Sequence, residues 1–253
     1  MLFLGHGSPQ NAIELNQWTA AFRAVGQQLR QQATPPSAVL MISAHWDTAG
    51  LRVSSQPTPR TIHDFSGFGA ALQQFQYPAS GDPLLASRVL QLLAGLQAVP
   101  DTSWGFDHGC WSVLCHLLPD AALPVVQLSI DSSKSAAWHL QLGNLLKPLR
   151  AEGVLIVGSG NLVHNLGLLD WQNHHTPEWA VRFRDQVKYC VEQQLSALTE
   201  YPNWPAAQLA VPHPDHLLPL FPLLGAKTAA EPISWFNDSF ALGSLAMTSL
   251  RIG

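Results

Sequence analysis

Four of the eleven histidines stand where imidazole can do chemistry: His6 in Gly5-His6-Gly7-Ser8-Pro9, His45 in Ser43-Ala44-His45-Trp46, His164 after Gly158-Ser159-Gly160, and His216 in His213-Pro214-Asp215-His216. A neutral imidazole nitrogen binds iron, zinc or copper, provided the backbone holds several of them convergent and partly dry. Glycines on both sides of His6 permit the close approach and unusual dihedrals of a ligand-bearing turn. A plain tight turn or an anion-cradling glycine loop is the competing reading, although no P-loop lysine follows. For His45 the competitor is a hydrogen-bonded core histidine at a strand end. Asp215 and His216 are rivals for a third ligand position. A carboxylate there would complete the two-histidine, one-carboxylate triad of non-haem iron sites, but helix capping competes for Asp215, which favours His216. His164 reads as either a fourth nitrogen ligand or a general acid/base beside a metal.

The elements that must position these side chains are legible as apolar runs. Leu2 to Leu4, Val39 to Ile42 and Val154 to Val157 are nearly continuous in apolar residues, as strands buried on both faces are, and the first three histidines follow them. Ligands of open α/β sheets bind just beyond the carboxyl ends of such strands. Pro124 to Ile130 reads as a further strand and Ala246 to Ile252 as a closing one. Between them, Ile13, Leu15, Trp18, Phe22, Val25 and Leu29 recur at helical spacing, and Asp82-Pro83 has the form of an N-cap followed by proline at the first helical position. Ser132 or Ser133 is placed to cap a helix that Pro148 ends or bends, and Thr176-Pro177 opens a long helix. Strands alternating with helices predict an α/β fold: a single domain over residues 1–253, with a mainly parallel central sheet and helices on both faces.

Composition narrows the function classes. A 47% hydrophobic content can fill a large core, while a net charge of −4 without a Lys/Arg cluster offers nucleic acid no attractive field. The three cysteines lack metal-finger spacing and read as small apolar residues of a reducing compartment, without a disulfide. Neither a leader-like start nor an apolar stretch approaching the roughly 20 residues of a membrane span is present. The expectation is a cytoplasmic protein with no nucleic-acid or membrane partner; oligomeric state leaves no signature.

Two long loops are candidates for the pocket itself. Pro57 to Gly69 carries Arg60, His63, Asp64 and Phe65, and Trp104 to Trp111 carries Phe106, Asp107 and His108. His63 and Arg60 are candidate substrate contacts, Arg60 as partner of a substrate carboxylate, with loop packing and a solvated arginine as the alternatives. His108, between Asp107 and Gly109, is a candidate proton carrier whose tautomer a carboxylate would fix. Trp46 and Trp104, close in sequence to candidate histidines, offer flat apolar surface of the kind that suits an aromatic ligand. Neither Ser8 nor Ser159 sits in a Gly-x-Ser-x-Gly elbow, so nucleophilic hydrolysis has little support.

Six segments in order, Leu4-Gly5-His6-Gly7-Ser8-Pro9, Ile42-Ser43-Ala44-His45-Trp46, Pro59-Arg60-Thr61-Ile62-His63-Asp64-Phe65, Trp104-Gly105-Phe106-Asp107-His108-Gly109, Val126-Gln127-Leu128-Ser129-Ile130-Asp131 and Ser159-Gly160-Asn161-Leu162-Val163-His164-Asn165, resemble the DOPA 4,5-dioxygenase branch of the class III extradiol ring-cleavage dioxygenases over nearly the whole chain. The resemblance implies a mononuclear non-haem Fe(II) site that Zn(II) can also occupy, and a catechol and O2 as substrates. It carries His6, His45 and His216 over as metal ligands. His164 carries over as a further ligand to zinc or as the acid/base of the iron enzyme, and His108 as a second acid/base. The broader class uses glutamate as its third ligand, where this chain offers Asp215-His216. The implied reaction inserts O2 into a catechol such as DOPA to give a muconic semialdehyde; a zinc-dependent hydrolase and a non-catalytic metal-binding protein are the alternatives.

Overall fold

Ten strands were located in a computed structural model describing residues 1–253: β1 Leu2–Gly5, β2 Ala38–Asp47, β3 Arg52–Ser54, β4 Val99–Asp101, β5 Val125–Ile130, β6 Val154–Gly160, β7 Ile233–Phe236, β8 Phe240–Ala241, β9 Leu245–Ala246 and β10 Ser249–Ile252. Eight of them form one sheet in the order β4-β3-β5-β2-β6-β1-β10-β7, and β8 pairs with β9. The four central strands, β5, β2, β6 and β1, are mutually parallel. Antiparallel pairing enters at β3 against β5 and at β10 against β1 and β7.

The apolar runs are continuous because both faces of the sheet are covered. Strand side chains alternate between faces, so Phe3, Leu40, Ile42, Val126, Leu128 and Ile156 enter one core while Leu2, Leu4, Val39, Met41, Val125, Leu155 and Val157 enter another. Helices Ala136–Leu146, Glu178–Gln193 and Leu220–Ala226 supply residues to the first core; Gln17–Arg30 and His108–Leu117 supply the second.

Local chemistry sets several boundaries. The first helix begins at Gln17 rather than near Ile13, because Asn16 accepts hydrogen bonds from Trp18 N and Thr19 N while Thr19 Oγ1 accepts from Asn16 N, a reciprocal capping box. Ile13 and Leu15 therefore stay outside it and exposed. Asp82 caps as its sequence suggests, accepting from Leu84 N and Leu85 N. Ser135, not Ser132 or Ser133, caps the helix Ala136–Leu146, and a separate turn, Pro148–Ala151, follows. The closing strand is split into β9 and β10, since Met247 N donates to Ser239 O and Thr248 Oγ1 to Asp238 Oδ1 between them. All three cysteines are unpaired, and no helix is long and apolar enough to cross a membrane.

Candidate metal centre

The carboxyl ends of β1, β2 and β6 converge, and the site is built on them. β1 stops at Gly5, and His6 N donates to Gly160 O at 3.1 Å. The chain then turns through Gly7, whose φ of +62° lies in the left-handed region where glycine carries no steric cost. Asn11 Nδ2 donates to His6 O at 2.9 Å, and Ser159 Oγ lies 3.0 Å from His6 Nδ1, which leaves Nε2 free. His45, near the end of β2, brings its Nε2 to 3.1 Å from His6 Nε2.

His216 arrives from a single turn, Pro214–His216, that leans on the end of β6. Asn161 N donates to His216 O at 2.8 Å, and a Cβ at position 160 would lie 2.1 Å from that same oxygen, so only glycine allows the approach. One ring nitrogen each from His6, His45 and His216 then lies within 4.8 Å of the others. Two nitrogens bound to one ion at about 2.1 Å stand roughly 3 to 3.5 Å apart, which matches the His6–His45 separation. Both ring nitrogens of His216 are buried without a hydrogen-bond partner, an arrangement that costs free energy unless something else satisfies them. Burial, reinforced by the neighbouring imidazoles, pushes His6 and His216 well below the ordinary histidine value. Burial and His108 push His45 down to about 3 against the opposing pull of Asp64 and Asp215. Buried neutral imidazoles with unsatisfied nitrogens fit a metal ion.

Two further histidines flank the trio. His164 lies outside the close nitrogen set, its ring stacked on His216 with centroids 3.4 Å apart and planes 5° from parallel. Burial lowers it to about 4, although Asp215 opposes the shift. The His108 ring lies 3.7 Å from that of His45, and its Nδ1 is 2.9 Å from Asp64 Oδ2. The carboxylate partner of His108 is thus Asp64 rather than the adjacent Asp107. Asp107 caps the helix His108–Leu117 and accepts from Ser43 Oγ and Gln127 Nε2 behind the site.

His45, Asp64, His108, His164 and His216 open onto a cavity of about 880 Å³ whose walls include Phe65, Phe68, Leu166, Trp171, Leu242 and Leu245. The last two come from a C-terminal segment to which no sequence signal pointed. Neither Arg60 nor His63 lines the cavity. Arg60 is exposed and its carbonyl accepts from Phe106 N, while His63 Nε2 donates to Phe75 O at 2.9 Å. Trp46 and Trp104 are also absent from the walls and stack on each other, ring centroids 5.7 Å apart.

A cluster of neutral imidazoles at the carboxyl edge of a parallel sheet, beside an apolar cavity, defines a metal-using α/β enzyme. Residues 2–244 match the family described as the catalytic LigB subunit of aromatic ring-opening dioxygenase. The chain is 45% identical to the 4,5-DOPA dioxygenase extradiol of Escherichia coli (strain K12), covering 100% of this chain and 94% of the relative. It is 36% identical to the 4,5-DOPA dioxygenase extradiol of Beta vulgaris, covering 98% and 96%. Its fold superposes on the crystal structure of an uncharacterized protein from Escherichia coli K12 with a TM-score of 0.87 and 40% identity, over 100% of this chain and 98% of that one. The chain belongs to the aromatic ring-opening dioxygenase family, and it is an enzyme of the extradiol dioxygenase type.

Proposed function

We propose that residues 1–253 form one catalytic unit that inserts O2 into the ring of a catechol such as DOPA to give a muconic semialdehyde. The observation that carries this reading is the convergence of His6, His45 and His216 under an apolar cavity that also holds His108 and His164. The three converging imidazoles are the metal ligands, and His216 is preferred to Asp215 because its ring nitrogens are buried and make no hydrogen bond. Fe(II), when bound there, supplies the redox capacity that lets O2 react with the ring and orients both reactants. Zn(II) suits the same nitrogens.

The remaining residues handle protons and shape. His164 is neutral near pH 7 because its proton affinity is depressed, so it can take the proton of a catechol hydroxyl. His108 donates from Nδ1 to Asp64, leaving Nε2 as the atom that exchanges a proton with the reacting oxygens. Phe65, Phe68 and Trp171 surround the aromatic ring and limit water. Three unpaired cysteines suit a reducing cytoplasm.

Anaerobic loading with Fe(II), followed by oxygen uptake and visible absorbance with DOPA and simple catechols, tests the reading. Stoichiometric uptake with a yellow semialdehyde is the expected result. Metal-verified protein that consumes no oxygen, or that hydrolyses substrates with Zn(II) in the absence of O2, would overturn it.

A further inference from the structure

We propose that the cavity selects catechols whose side chain carries an ammonium group, and that Asp215 recognises it; the proposal rests on reading the cavity as a catechol site. The starting point is a charge asymmetry. The cavity walls include two carboxylates, Asp64 and Asp215, and no lysine or arginine. Arg60, the sequence's one candidate for pairing with a substrate carboxylate, lies outside it.

The two carboxylates are not equivalent. Asp64 is committed to His108, Oδ1 accepting from the backbone N–H and Oδ2 from Nδ1, both at 2.9 Å. Asp215 uses only Oδ1 within the protein, accepting from His216 N at 2.9 Å, with His216 Nδ1 at 3.2 Å. Its other oxygen has no protein partner, and its side chain is 32% exposed on the cavity side. Asp215 therefore stands directly beside His216, a candidate ligand, and faces the same cavity. The rest of the polar wall is Ser8, Asn165, His213 and the site histidines His45, His108, His164 and His216, none of which carries a fixed positive charge.

In a part-buried cavity whose walls include Phe65, Phe68, Leu166 and Trp171, a carboxylate with one free oxygen attracts a cation and repels an anion more strongly than it would in water. Selectivity then comes from both terms. A side chain bearing only an ammonium is favoured, a zwitterion is accepted, and a side chain bearing only a carboxylate is rejected.

Three catechols with the same ring test this: dopamine, DOPA and 3-(3,4-dihydroxyphenyl)propionate. Their kcat/KM values are compared by oxygen uptake on Fe(II)-loaded protein, and their affinities by calorimetry on Zn(II)-loaded protein, both at low salt. Dopamine is expected to exceed the propionate about tenfold in each measurement, with DOPA between, as a part-buried ion pair allows. Asp215→Asn should bring the ratio close to one at unchanged metal content, while Asp215→Glu, which keeps the charge, should retain most of it. An anionic catechol bound as well as dopamine, or a ratio untouched in Asp215→Asn, overturns the proposal. Absence of oxygen uptake with all three would instead defeat the dioxygenase reading, and the calorimetric ratio would still decide the charge preference.

Discussion

Asp64 grips His108 at two points, its Oδ1 accepting the backbone N–H and its Oδ2 accepting from Nδ1, each at 2.9 Å, while Oδ2 also lies 3.4 Å from His45 Nδ1. One carboxylate thus orients the candidate proton donor and leans on a candidate metal ligand. Its side chain is only 17% exposed, so the grip is partly shielded from solvent.

Replacing Asp64 with Asn keeps the size but offers an amide where a carboxylate fixed the tautomer. Partners of this kind are typically worth about 10- to 100-fold. Turnover of Asp64→Asn should fall by that order and its kcat–pH profile should shift, with metal content near wild type. An unchanged profile would show that Asp64 only packs the loop.

His164→Ala should bind metal nearly as wild type, because His164 lies outside the close nitrogen set. Loss of a general base costs typically about 10²- to 10⁴-fold in rate. Single-turnover ring cleavage measured against metal content separates the two effects, and full activity in this variant would remove the base role.

Gly160→Ala would drive a Cβ to 2.1 Å from His216 O and push the Pro214–His216 turn away from β6. A loss of about 1–3 kcal/mol in unfolding free energy, as for overpacking elsewhere, should accompany weaker metal binding. Gly95→Ala, whose Cβ would meet nothing within 4 Å, serves as the control and should change neither. Urea denaturation and metal titration of the pair decide the matter.

Arg150 holds Glu231 down to about 2 from an ordinary 4.5, chiefly through side-chain hydrogen bonds, with Thr228 adding to the shift against the opposing effect of burial. The folded state therefore binds this proton less readily than the unfolded chain. The stabilisation is complete above about pH 4.5 and is lost as pH falls from there toward 2. Glu231→Gln should lower stability at pH 6 and flatten its dependence between pH 4.5 and 2; parallel slopes for both proteins would contradict the assignment.

The sheet and two of the candidate ligand positions were legible because strands buried on both faces write continuous apolar runs, and His6 and His45 lie at the ends of such runs. The approach of His216 was legible only as a candidate, since it depends on Gly160 packing against a turn far along the chain. Which carboxylate pairs with His108 was not legible. Asp107 is next in sequence, but its capping of Cys110 N and its bonds to Ser43 and Gln127 turn it away, while the pairing of Ile62 N with Phe106 O joins the two loops that bring Asp64 across. Arg60 was a candidate by its charge, yet the residues its loop sends to the cavity wall are Asp64, Phe65 and Phe68.

Whether three imidazoles hold one metal while a fourth moves protons is read most directly from Fe(II) and Zn(II) stoichiometry in His6→Ala, His45→Ala, His216→Ala and His164→Ala. One ion per chain in wild type and in His164→Ala, with weak or absent binding in the other three, is the predicted pattern. Metal retained in His216→Ala, or lost from His164→Ala as completely as from His6→Ala, would contradict it.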